Sequence, residues 1–323
     1  MESATKNKQL HDDIIKIVQR AFGSNFLPEQ ISIAELTEGY YNVAYDITLP
    51  DREVILKIAP PSSAVIMSYE MNIMQAEVDG LRLVKQKSMV PVPEVLYYDS
   101  SKDICDASYF FMNKLHGESF YKLKCNDLSQ KEQDKIMRKA GSLNKAMNEI
   151  KGEGFGYLNQ PDSQRRDWKT VFLQMINSLL MDGEKVEIDL GVKYIELINL
   201  VTKGSFALEE ITEPVFVHGD LWDGNIFIKD GKIEGLIDFE RSMWADPLME
   251  YYFRRHSYNS LFIEGYGEDL RKKHPIRALL YDIYLYLVMV IETSYRNYPD
   301  DWQYQFATKQ LYESVQELKL ILN

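Results

Sequence analysis

The stretch HGDLWDGNIFIKDGKIEGLID, residues 218–238, constrains the fold more than any other part of this sequence. Apolar residues alternate with polar ones on both sides of Asp230-Gly231, a dipeptide that favours tight turns. The pattern predicts a β-hairpin, in which the outer ends of the two strands lie side by side. We therefore expect Asn225, at the start of the hairpin, to lie close to Asp238, at its end.

The same stretch carries side chains suited to holding a metal ion and moving a proton. Carboxylate and amide oxygens, as in Asp238 and Asn225, are ligands that Mg²⁺ prefers. Asp220 would stand beside that ion and act on a hydroxyl group. The simpler alternative is that these are ordinary turn residues. The spacing Asp-x-x-x-x-Asn, followed by an apolar-Asp-Phe strand end, favours the first interpretation, because it is the arrangement of a kinase catalytic loop.

Length, charge and cysteine content narrow the class of protein. The chain has 323 residues and a net charge of −12. This length predicts one large or two medium lobes, and the acidic balance argues against a nucleic-acid partner. Cys105 and Cys125 lack metal-ligand spacing, which favours a reduced, cytoplasmic protein. The N-terminal residues MESATKNKQLHDDI have no apolar core, so we expect no signal peptide there. The longest apolar run, residues 279–291, is too short for a bilayer, so we expect a buried helix and no membrane partner.

The first third of the chain has the alternation of an antiparallel meander. Lys57 lies in one of its apolar strands and has two interpretations. It is either an edge-strand lysine that reaches out to water or a lysine held over a phosphate site, one hairpin after the loop that contains Gly39. Residues 68–87 predict one long helix, on which Glu77 is either a surface charge or the partner of Lys57.

From residue 129 onward the periodicity is mostly helical. Ser129 and Glu132 have the spacing of a capping box at the start of a helix. Residues 248–255 predict a further helix, whereas residues 155–158 and 257–267 predict loops.

Seven motifs occur along the chain in a fixed order. They are V-I-L-K at 54–57, A-E-V-D-G-L-R-L-V at 76–84, V-P-V-P-E-V-L at 90–96, F-F-M-N-K-L-H-G-E at 110–118, V-H-G-D-L-W-D-G-N-I-F at 217–227, L-I-D-F-E at 236–240 and A-D-P at 245–247. With them the chain resembles the aminoglycoside phosphotransferase family over roughly residues 31–320. That family shares the two-lobed fold of protein kinases.

The resemblance implies an α+β, bilobal, protein-kinase-like fold. Residues 1–116 would form a small N-terminal nucleotide-binding lobe, with an antiparallel sheet and one long helix. Residues 117–323 would form a larger, mainly helical C-terminal lobe that carries the catalytic hairpin and binds the substrate.

The resemblance also implies a role for each motif residue. Lys57, oriented by Glu77, would meet the α- and β-phosphates of ATP or GTP. Asp220 would take the proton of the acceptor hydroxyl, and Asn225 and Asp238 would hold Mg²⁺. The other nucleotide contacts would be Thr37, Gly39 and Asn42 in the phosphate loop, and the backbone groups of Asn113 and Leu115 at the purine.

The acceptor is expected to be a small, cationic, polyhydroxylated molecule such as an aminoglycoside, which would make the protein an antibiotic-resistance enzyme. Asp223, Glu240 and Glu292 would meet its ammonium groups, unless they are plain surface acids. Trp222-Asp223 resembles the Leu-Trp version of this loop in the fructosamine kinase branch of the family. A second alternative is therefore a metabolic kinase that acts on a fructosamine, a choline-like amine, homoserine or a thiosugar. A non-catalytic kinase-like scaffold is a third alternative, and the complete set of motif residues argues against it.

Overall fold

The computed structural model describes residues 5–24, 26–39, 41–296, 298 and 300–323, and only the backbone of Cys125 and Asn126. Tyr40, within the predicted phosphate loop, lies outside the described residues, as does the side chain of Cys125. The chain divides into two compact units. The first contains the chain up to Val65 and Pro93–His116, and the second contains Ile66–Val92 and Gly117–Asn323.

In its described part the first unit is an antiparallel five-stranded sheet with a helix packed on it. Ile14, Ile17 and Val18 lie on one face of the helix and join the buried core of the sheet with residues such as Val43 and Leu56. The elements, numbered in chain order, are α1 (His11–Phe22), β1 (Ser32–Leu36), β2 (Val43–Leu49), β3 (Arg52–Ile58), β4 (Val95–Asp99) and β5 (Tyr109–Asn113). The strand order is β1-β2-β3-β5-β4, which places β3 in the centre.

The second unit is mainly helical. Its helices are α2 (Ile73–Lys87), α3 (Phe120–Asn126), α4 (Gln130–Asn148), α5 (Trp168–Lys185), α6 (Tyr194–Gly204), α7 (Ser260–Tyr266), α8 (Leu270–Lys273), α9 (Pro275–Arg296) and α10 (Trp302–Leu322). Its strands are β6 (Glu118–Ser119), β7 (Gly156–Tyr157), β8 (Val215–Val217), β9 (Ile226–Lys229), β10 (Lys232–Leu236) and β11 (Met243–Ala245). They form two small sheets, β10-β9-β6 and β7-β11-β8. The predicted combination of an antiparallel sheet and a mostly helical remainder is therefore present.

The apolar run at residues 279–291 lies inside α9, which is buried along most of its length, as predicted. Among the described residues, no helix combines the length and the hydropathy needed to cross a membrane. Cys105 is buried and forms no disulfide. The cytoplasmic location inferred from the sequence stays a prediction.

The segment predicted as one helix over residues 68–87 is divided in two. Ser68–Glu70 forms a 3₁₀ turn, and Asn72 has a left-handed backbone with φ of 57° before α2 begins. The Glu70 carboxylate explains the turn, because it accepts the Met67 N–H at 2.8 Å and pairs with Arg296.

α2 itself packs within the second unit, although the sequence analysis placed it in the first lobe. A Cβ added to Gly80 would lie 3.2 Å from the Phe239 side chain and 3.3 Å from Ser242 Oγ. This close approach joins the helix to the turn that follows the β9–β10 hairpin, and it brings Glu77 into the same unit as Asp238.

Three other segments differ from their predicted structure because tertiary contacts outweigh local pattern. Residues 248–255 form two 3₁₀ turns instead of a helix, because the backbone of Glu250 between them is extended. The predicted loop at 257–267 contains α7, whose first N–H groups are capped by Asn259. The predicted loop at 155–158 contains β7, which pairs with β11.

Candidate active site

The predicted hairpin is present, and its turn has the backbone that the sequence requires. β9 and β10 pair in antiparallel register, with Ile226 opposite Leu236. Asp230 and Gly231 have φ angles of 51° and 69°. Positive φ at both central residues is the requirement of a type I′ turn, the connection best matched to the twist of a two-residue hairpin.

The open end of this hairpin joins the residues predicted to hold a metal ion. The Ile237 N–H donates to the Asn225 carbonyl at 3.1 Å, which holds the neighbouring Asp238 beside Asn225. Asn225 Nδ2 donates to the backbone oxygen of Asp220 at 2.8 Å and to its Oδ2 at 3.2 Å. Because Nδ2 faces Asp220, the amide oxygen Oδ1 is the atom with which Asn225 could coordinate a cation. The structure therefore brings Asp220, Asn225 and Asp238 together.

His218 connects the start of the predicted catalytic loop, residues 218–225, to the end of the hairpin. Its Nδ1 accepts the Asp220 N–H at 3.2 Å, and its Nε2 lies 3.0 Å from the Ile237 carbonyl oxygen. These partners assign the proton to Nε2 and make the ring neutral. Burial lowers the pKa of His218, which agrees with a neutral ring. Its contacts are those of a positioning residue, because both nitrogens are occupied by backbone groups.

Glu250 braces the same loop through its carboxylate, a role that was not predicted from the sequence. The buried carboxylate accepts the N–H groups of His218 at 3.1 Å and Leu221 at 3.3 Å, on either side of Asp220. It also accepts the Tyr251 N–H at 3.0 Å and Asn144 Nδ2 at 3.1 Å. Four donors on one carboxylate fix the loop backbone. The local sequence gave no sign of it, because the apolar pattern around Glu250 is that of a helix.

The conformation of the loop depends on glycine at position 219. Gly219 has φ of 80°, and a Cβ there would lie 2.5 Å from the Arg241 carbonyl oxygen. Both the backbone angle and the missing side chain are needed for Asp220 to follow directly.

Asp220 is in an environment that resists ionisation. Burial raises its pKa from 3.8 to about 7, against the opposing effect of Arg241. The negative charge of Asp238 raises the pKa further. A carboxylate with a pKa near neutrality is suited to accept a proton under physiological conditions.

Asp238 has a strained backbone and lies in a group of carboxylates. Its φ and ψ are 69° and 54°, the left-handed region that residues other than glycine seldom adopt. Oxygen atoms of Asp238, Glu77 and Glu240 lie within 4.8 Å of one another. Hard carboxylate oxygens at this spacing, with the Asn225 amide nearby, are a donor set that fits Mg²⁺. Backbone strain at such a position is common where a functional side chain must be aimed.

Two of the three acids predicted to bind the acceptor are already bonded to other side chains. Asp223 pairs with Lys124 and accepts a hydrogen bond from the Tyr252 hydroxyl. Glu292 accepts Arg241 at 3.1 Å and Gln303 Nε2 at 2.6 Å, and it is buried. Whether Asp223 and Glu292 also meet an acceptor stays a prediction. Glu240, the third predicted acceptor carboxylate, lines a cavity beside the predicted catalytic loop.

In the first unit, Lys57 occupies a central strand and not the edge strand of the simpler interpretation. It pairs in register with Ala44 on β2 and Phe110 on β5, and it is only 8% exposed. A lysine buried at the middle of a sheet carries a desolvation cost that a surface role does not explain.

The other predicted nucleotide contacts also belong to the first unit. Thr37 and Gly39 are exposed in the turn between β1 and β2, and Asn42 is buried, with its carbonyl accepting Lys6 Nζ at 2.7 Å. The Asn113 N–H donates to the Glu94 carbonyl at 3.1 Å, so this backbone donor is already used. Leu115 is partly buried just beyond β5.

Comparison with known proteins identifies the family. The model of the phosphotransferase enzyme family matches residues 32–253, more than half of the chain. The chain belongs to this family. An aminoglycoside 3'-phosphotransferase from Enterococcus faecalis is 56% identical over 41 residues, which are 13% of this chain and 16% of that protein. The chain thus matches less than a fifth of the length of this curated relative.

Solved structures share the fold of this family member over nearly its whole length. A protein from Haemophilus somnus, provisionally named a fructosamine-3-kinase, has a TM-score of 0.67 and 19% identity, covering 93% of this chain and 96% of that one. A thermostable mutant of the aminoglycoside phosphotransferase APH(4)-Ia, in complex with AMP-PNP and hygromycin B, has a TM-score of 0.64 and 15% identity, covering 94% and 98%. At identities this low, the structural likeness establishes the fold alone. The predicted α+β, kinase-like class is thereby confirmed.

Proposed function

We propose that this member of the phosphotransferase enzyme family transfers the γ-phosphate of ATP or GTP to a hydroxyl group of a small molecule. The observation that supports this most is the contact of Asp220 with Asn225, held next to Asp238 by the hairpin. Phosphoryl transfer requires positioning and charge neutralisation, with little covalent chemistry from the protein. A carboxylate base next to a cation site supplies both.

Asp220 is the proposed base. The acceptor hydroxyl would donate its proton to the Asp220 carboxylate as the oxygen attacks phosphorus. Burial raises the pKa of Asp220 to about 7, so the carboxylate takes that proton more readily than an exposed aspartate would. Asn225 and His218 keep it oriented through the contacts described above.

Asn225 and Asp238 are the proposed Mg²⁺ ligands, with Glu240 and Glu77 in the same group of oxygens. When bound, the ion would neutralise the phosphate oxygens. The left-handed backbone of Asp238, which residues other than glycine seldom adopt, supports a functional role for this position.

The proposed nucleotide contacts rest on the family motifs. Lys57, oriented by Glu77, would meet the α- and β-phosphates, and its burial in a central strand supports a role beyond solubility. The remaining proposed contacts are Thr37, Gly39 and Asn42 for phosphate, and Asn113 and Leu115 for the purine.

A polyhydroxylated amine of the aminoglycoside type is the proposed acceptor. The local match to an aminoglycoside 3'-phosphotransferase supports it, as does Glu240 in the cavity wall, where it could meet an ammonium group. If such an acceptor is an antibiotic, the enzyme confers resistance to it.

A metabolic sugar or amino-alcohol kinase is the second candidate, and one observation favours it. Asp223 and Glu292 are each bonded to a protein cation, Lys124 and Arg241. These pairs offset part of the negative charge that a polycationic acceptor would need, so a molecule with one amine or none, such as a fructosamine, fits this charge balance better.

An acceptor screen separates these functions. The purified protein is incubated with Mg²⁺ and ATP or GTP in the presence of hygromycin B, fructosyl-lysine, choline or homoserine. Release of nucleoside diphosphate and the mass of a phosphorylated acceptor are measured together. Phosphorylation of hygromycin B supports the aminoglycoside-type acceptor, and phosphorylation of another member alone supports the metabolic kinase.

A nucleotide-binding measurement tests the non-catalytic alternative. A ligand at 100 times its Kd stabilises a protein by about 2.7 kcal/mol. Failure of Mg²⁺ with ATP or GTP to raise the melting temperature, together with no turnover in the screen, would contradict the phosphotransferase proposal.

A further inference from the structure

Arg241 is a partly buried cation that lies against the predicted catalytic loop. It belongs to the turn directly after Asp238, and its carbonyl oxygen is the atom that a Cβ at Gly219 would meet at 2.5 Å. With Gly219 and Tyr69 it lines the small cavity beside the loop. The backbone contact therefore places Arg241 next to the residue that precedes the proposed base, Asp220.

The positive charge of Arg241 acts on Asp220. Burial raises the pKa of Asp220, and of the charges that act on this carboxyl Arg241 has the largest effect and opposes the rise. In the proposed reaction the phosphate group meets the acceptor beside this base, and a fixed cation stabilises the negative charge of that group. A guanidinium stays in one position only if a partner holds it, because the arginine side chain has many rotamers.

Glu292, on α9, holds this guanidinium. Arg241 Nη2 donates to Glu292 Oε2 at 3.1 Å, and the Glu292 side chain is only 7% exposed. The guanidinium carbon also lies 5.8 Å from the centre of the Tyr69 ring. A hydrogen bond between two charged groups is stronger than one between neutral groups. The carboxylate of Glu292 is therefore the main restraint on the Arg241 side chain among the described residues.

Gln303, on α10, holds Glu292 in turn. Gln303 Nε2 donates to Glu292 Oε1 at 2.6 Å and to the Met289 carbonyl oxygen at 2.9 Å. The two oxygens of Glu292 are thus divided between Arg241, beside the catalytic loop, and a residue of α10. A carboxylate with both oxygens bonded in this way has a fixed orientation.

We propose that Glu292 is a positioning residue, which holds the Arg241 guanidinium beside Asp220, and that Gln303 keeps the Glu292 carboxylate in the orientation that this requires. The sequence predicted instead that Glu292 binds an ammonium group of the acceptor. This inference rests on the proposed phosphotransferase function and deepens it, because it makes the rate of transfer depend on a contact from α10.

Glu292→Gln keeps the shape of the side chain and removes its charge. With the acceptor found in the screen, we expect kcat to fall by roughly ten- to a hundredfold, the cost of a displaced group near the reacting atoms. The KM for the acceptor should stay unchanged, because Glu292 does not touch it. Glu317→Gln is the control, since Glu317 is an exposed acid that also pairs with an arginine, Arg255.

A double-mutant cycle shows whether Glu292 acts through Arg241. In the Arg241→Met background, Glu292→Gln should cause almost no further loss of kcat, because the group that it positions is absent. A carboxylate that binds the acceptor directly would cause the same loss in both backgrounds, mainly as a rise in the acceptor KM. Melting temperatures show that each variant folds.

Gln303→Met is the milder variant, because it keeps both members of the ion pair. It removes the hydrogen bond to Glu292 and should lower kcat by roughly two- to tenfold, with the acceptor KM unchanged. Gln305→Met, at an exposed glutamine of the same helix, is the control and should keep the wild-type kcat.

The outcomes separate this inference from the function on which it rests. A rise in acceptor KM with unchanged kcat in Glu292→Gln, or independent losses in the cycle, would overturn the inference and leave the proposed function intact. A wild-type kcat in Gln303→Met would overturn it as well, even if the Arg241→Met variants fail to fold. No wild-type turnover with any acceptor of the screen overturns the proposed function, and the inference with it.

Discussion

The catalytic loop and the cavity beside it differ in how completely their buried polar groups are hydrogen-bonded. In the loop, Glu250 accepts four hydrogen bonds, and both ring nitrogens of His218 have backbone partners. In the cavity wall, the Tyr69 hydroxyl and Arg241 Nε have no partner among the described residues. A fully bonded network fixes one geometry. Polar atoms of a cavity wall that lack a hydrogen-bond partner within the protein could still form a hydrogen bond to an atom from outside it.

The two regions therefore have different relations to stability and to function. The loop is held by the protein itself, so damage to its contacts should lower stability and activity together. The unbonded groups of the cavity wall carry an energetic cost, so removing one of them should not lower stability. The following substitutions test this contrast, from the largest expected effect on stability to the smallest.

Glu250→Gln should have the largest effect. Glutamine has one acceptor oxygen, so its NH₂ group would face two of the four donors that the carboxylate now accepts. We expect the free energy of unfolding to fall by about 3 kcal/mol, with a parallel loss of transfer activity. Urea unfolding measures the first. Glu153→Gln, an exposed glutamate, is the control, and an equal loss in both variants would contradict the bracing role.

Gly219→Ala should destabilise more than the same change at another glycine of positive φ. Gly231→Ala is the comparison, since Gly231 has φ of 69° with no atom within 4 Å of an added Cβ. We expect about 1 kcal/mol at Gly231 from the backbone angle alone. At Gly219 the contact with the Arg241 carbonyl should raise this to about 2–3 kcal/mol. Equal losses in thermal unfolding would remove the argument from this contact.

Asp220→Asn should stabilise the protein in a pH-dependent way, in buffer with EDTA. The folded-state pKa of Asp220 is raised from 3.8 to about 7. Between these values the unfolded chain is ionised while the folded protein holds the proton, so the wild type loses stability as the pH rises through this window. The variant lacks this loss. Its advantage should grow by about 2–3 kcal/mol between pH 5 and 8 and level off above. An advantage that is independent of pH would show that the pKa is not raised.

Tyr69→Phe should not lower the free energy of unfolding, and should raise it by up to about 1 kcal/mol, because the hydroxyl that it removes is buried and has no partner to lose. Tyr281→Phe is the contrast, since the buried Tyr281 hydroxyl donates to Asp246 at 2.8 Å and accepts Trp168 Nε1 at 2.7 Å. That variant should lose about 1–3 kcal/mol. A comparable loss in both would mean that the Tyr69 hydroxyl is bonded within the protein.

The parts of the site that the sequence predicted are those determined by local chemistry. A two-residue turn between strands of alternating apolar and polar residues determines the hairpin. The hairpin alone brings Asn225 close to Asp238. The capping box at Ser129 and Glu132 likewise marked the start of α4 correctly, because all of its contacts lie within one turn.

The parts that the sequence did not predict depend on contacts between distant residues. Glu250 lies in an apolar pattern typical of a helix. Its carboxylate instead accepts N–H groups of the catalytic loop, and the backbone at Glu250 is extended between two 3₁₀ turns. Tyr69 reaches the cavity from a segment about 150 residues before the catalytic loop, and no local pattern marks it. Asp223 and Glu292 were predicted to meet the acceptor, but only the folded protein reveals the cations that they already contact.

The most direct test of the central claim, that Asp220 is the base in phosphoryl transfer, is single-turnover transfer from γ-labelled ATP to the acceptor found in the screen. Asp220→Asn is compared with Asp230→Asn, the same substitution in the exposed turn of the hairpin. We predict that Asp220→Asn loses about 10²–10⁴-fold in transfer rate while binding Mg²⁺ and ATP normally, and that Asp230→Asn retains the wild-type rate. Equal transfer rates in the two variants would contradict the account.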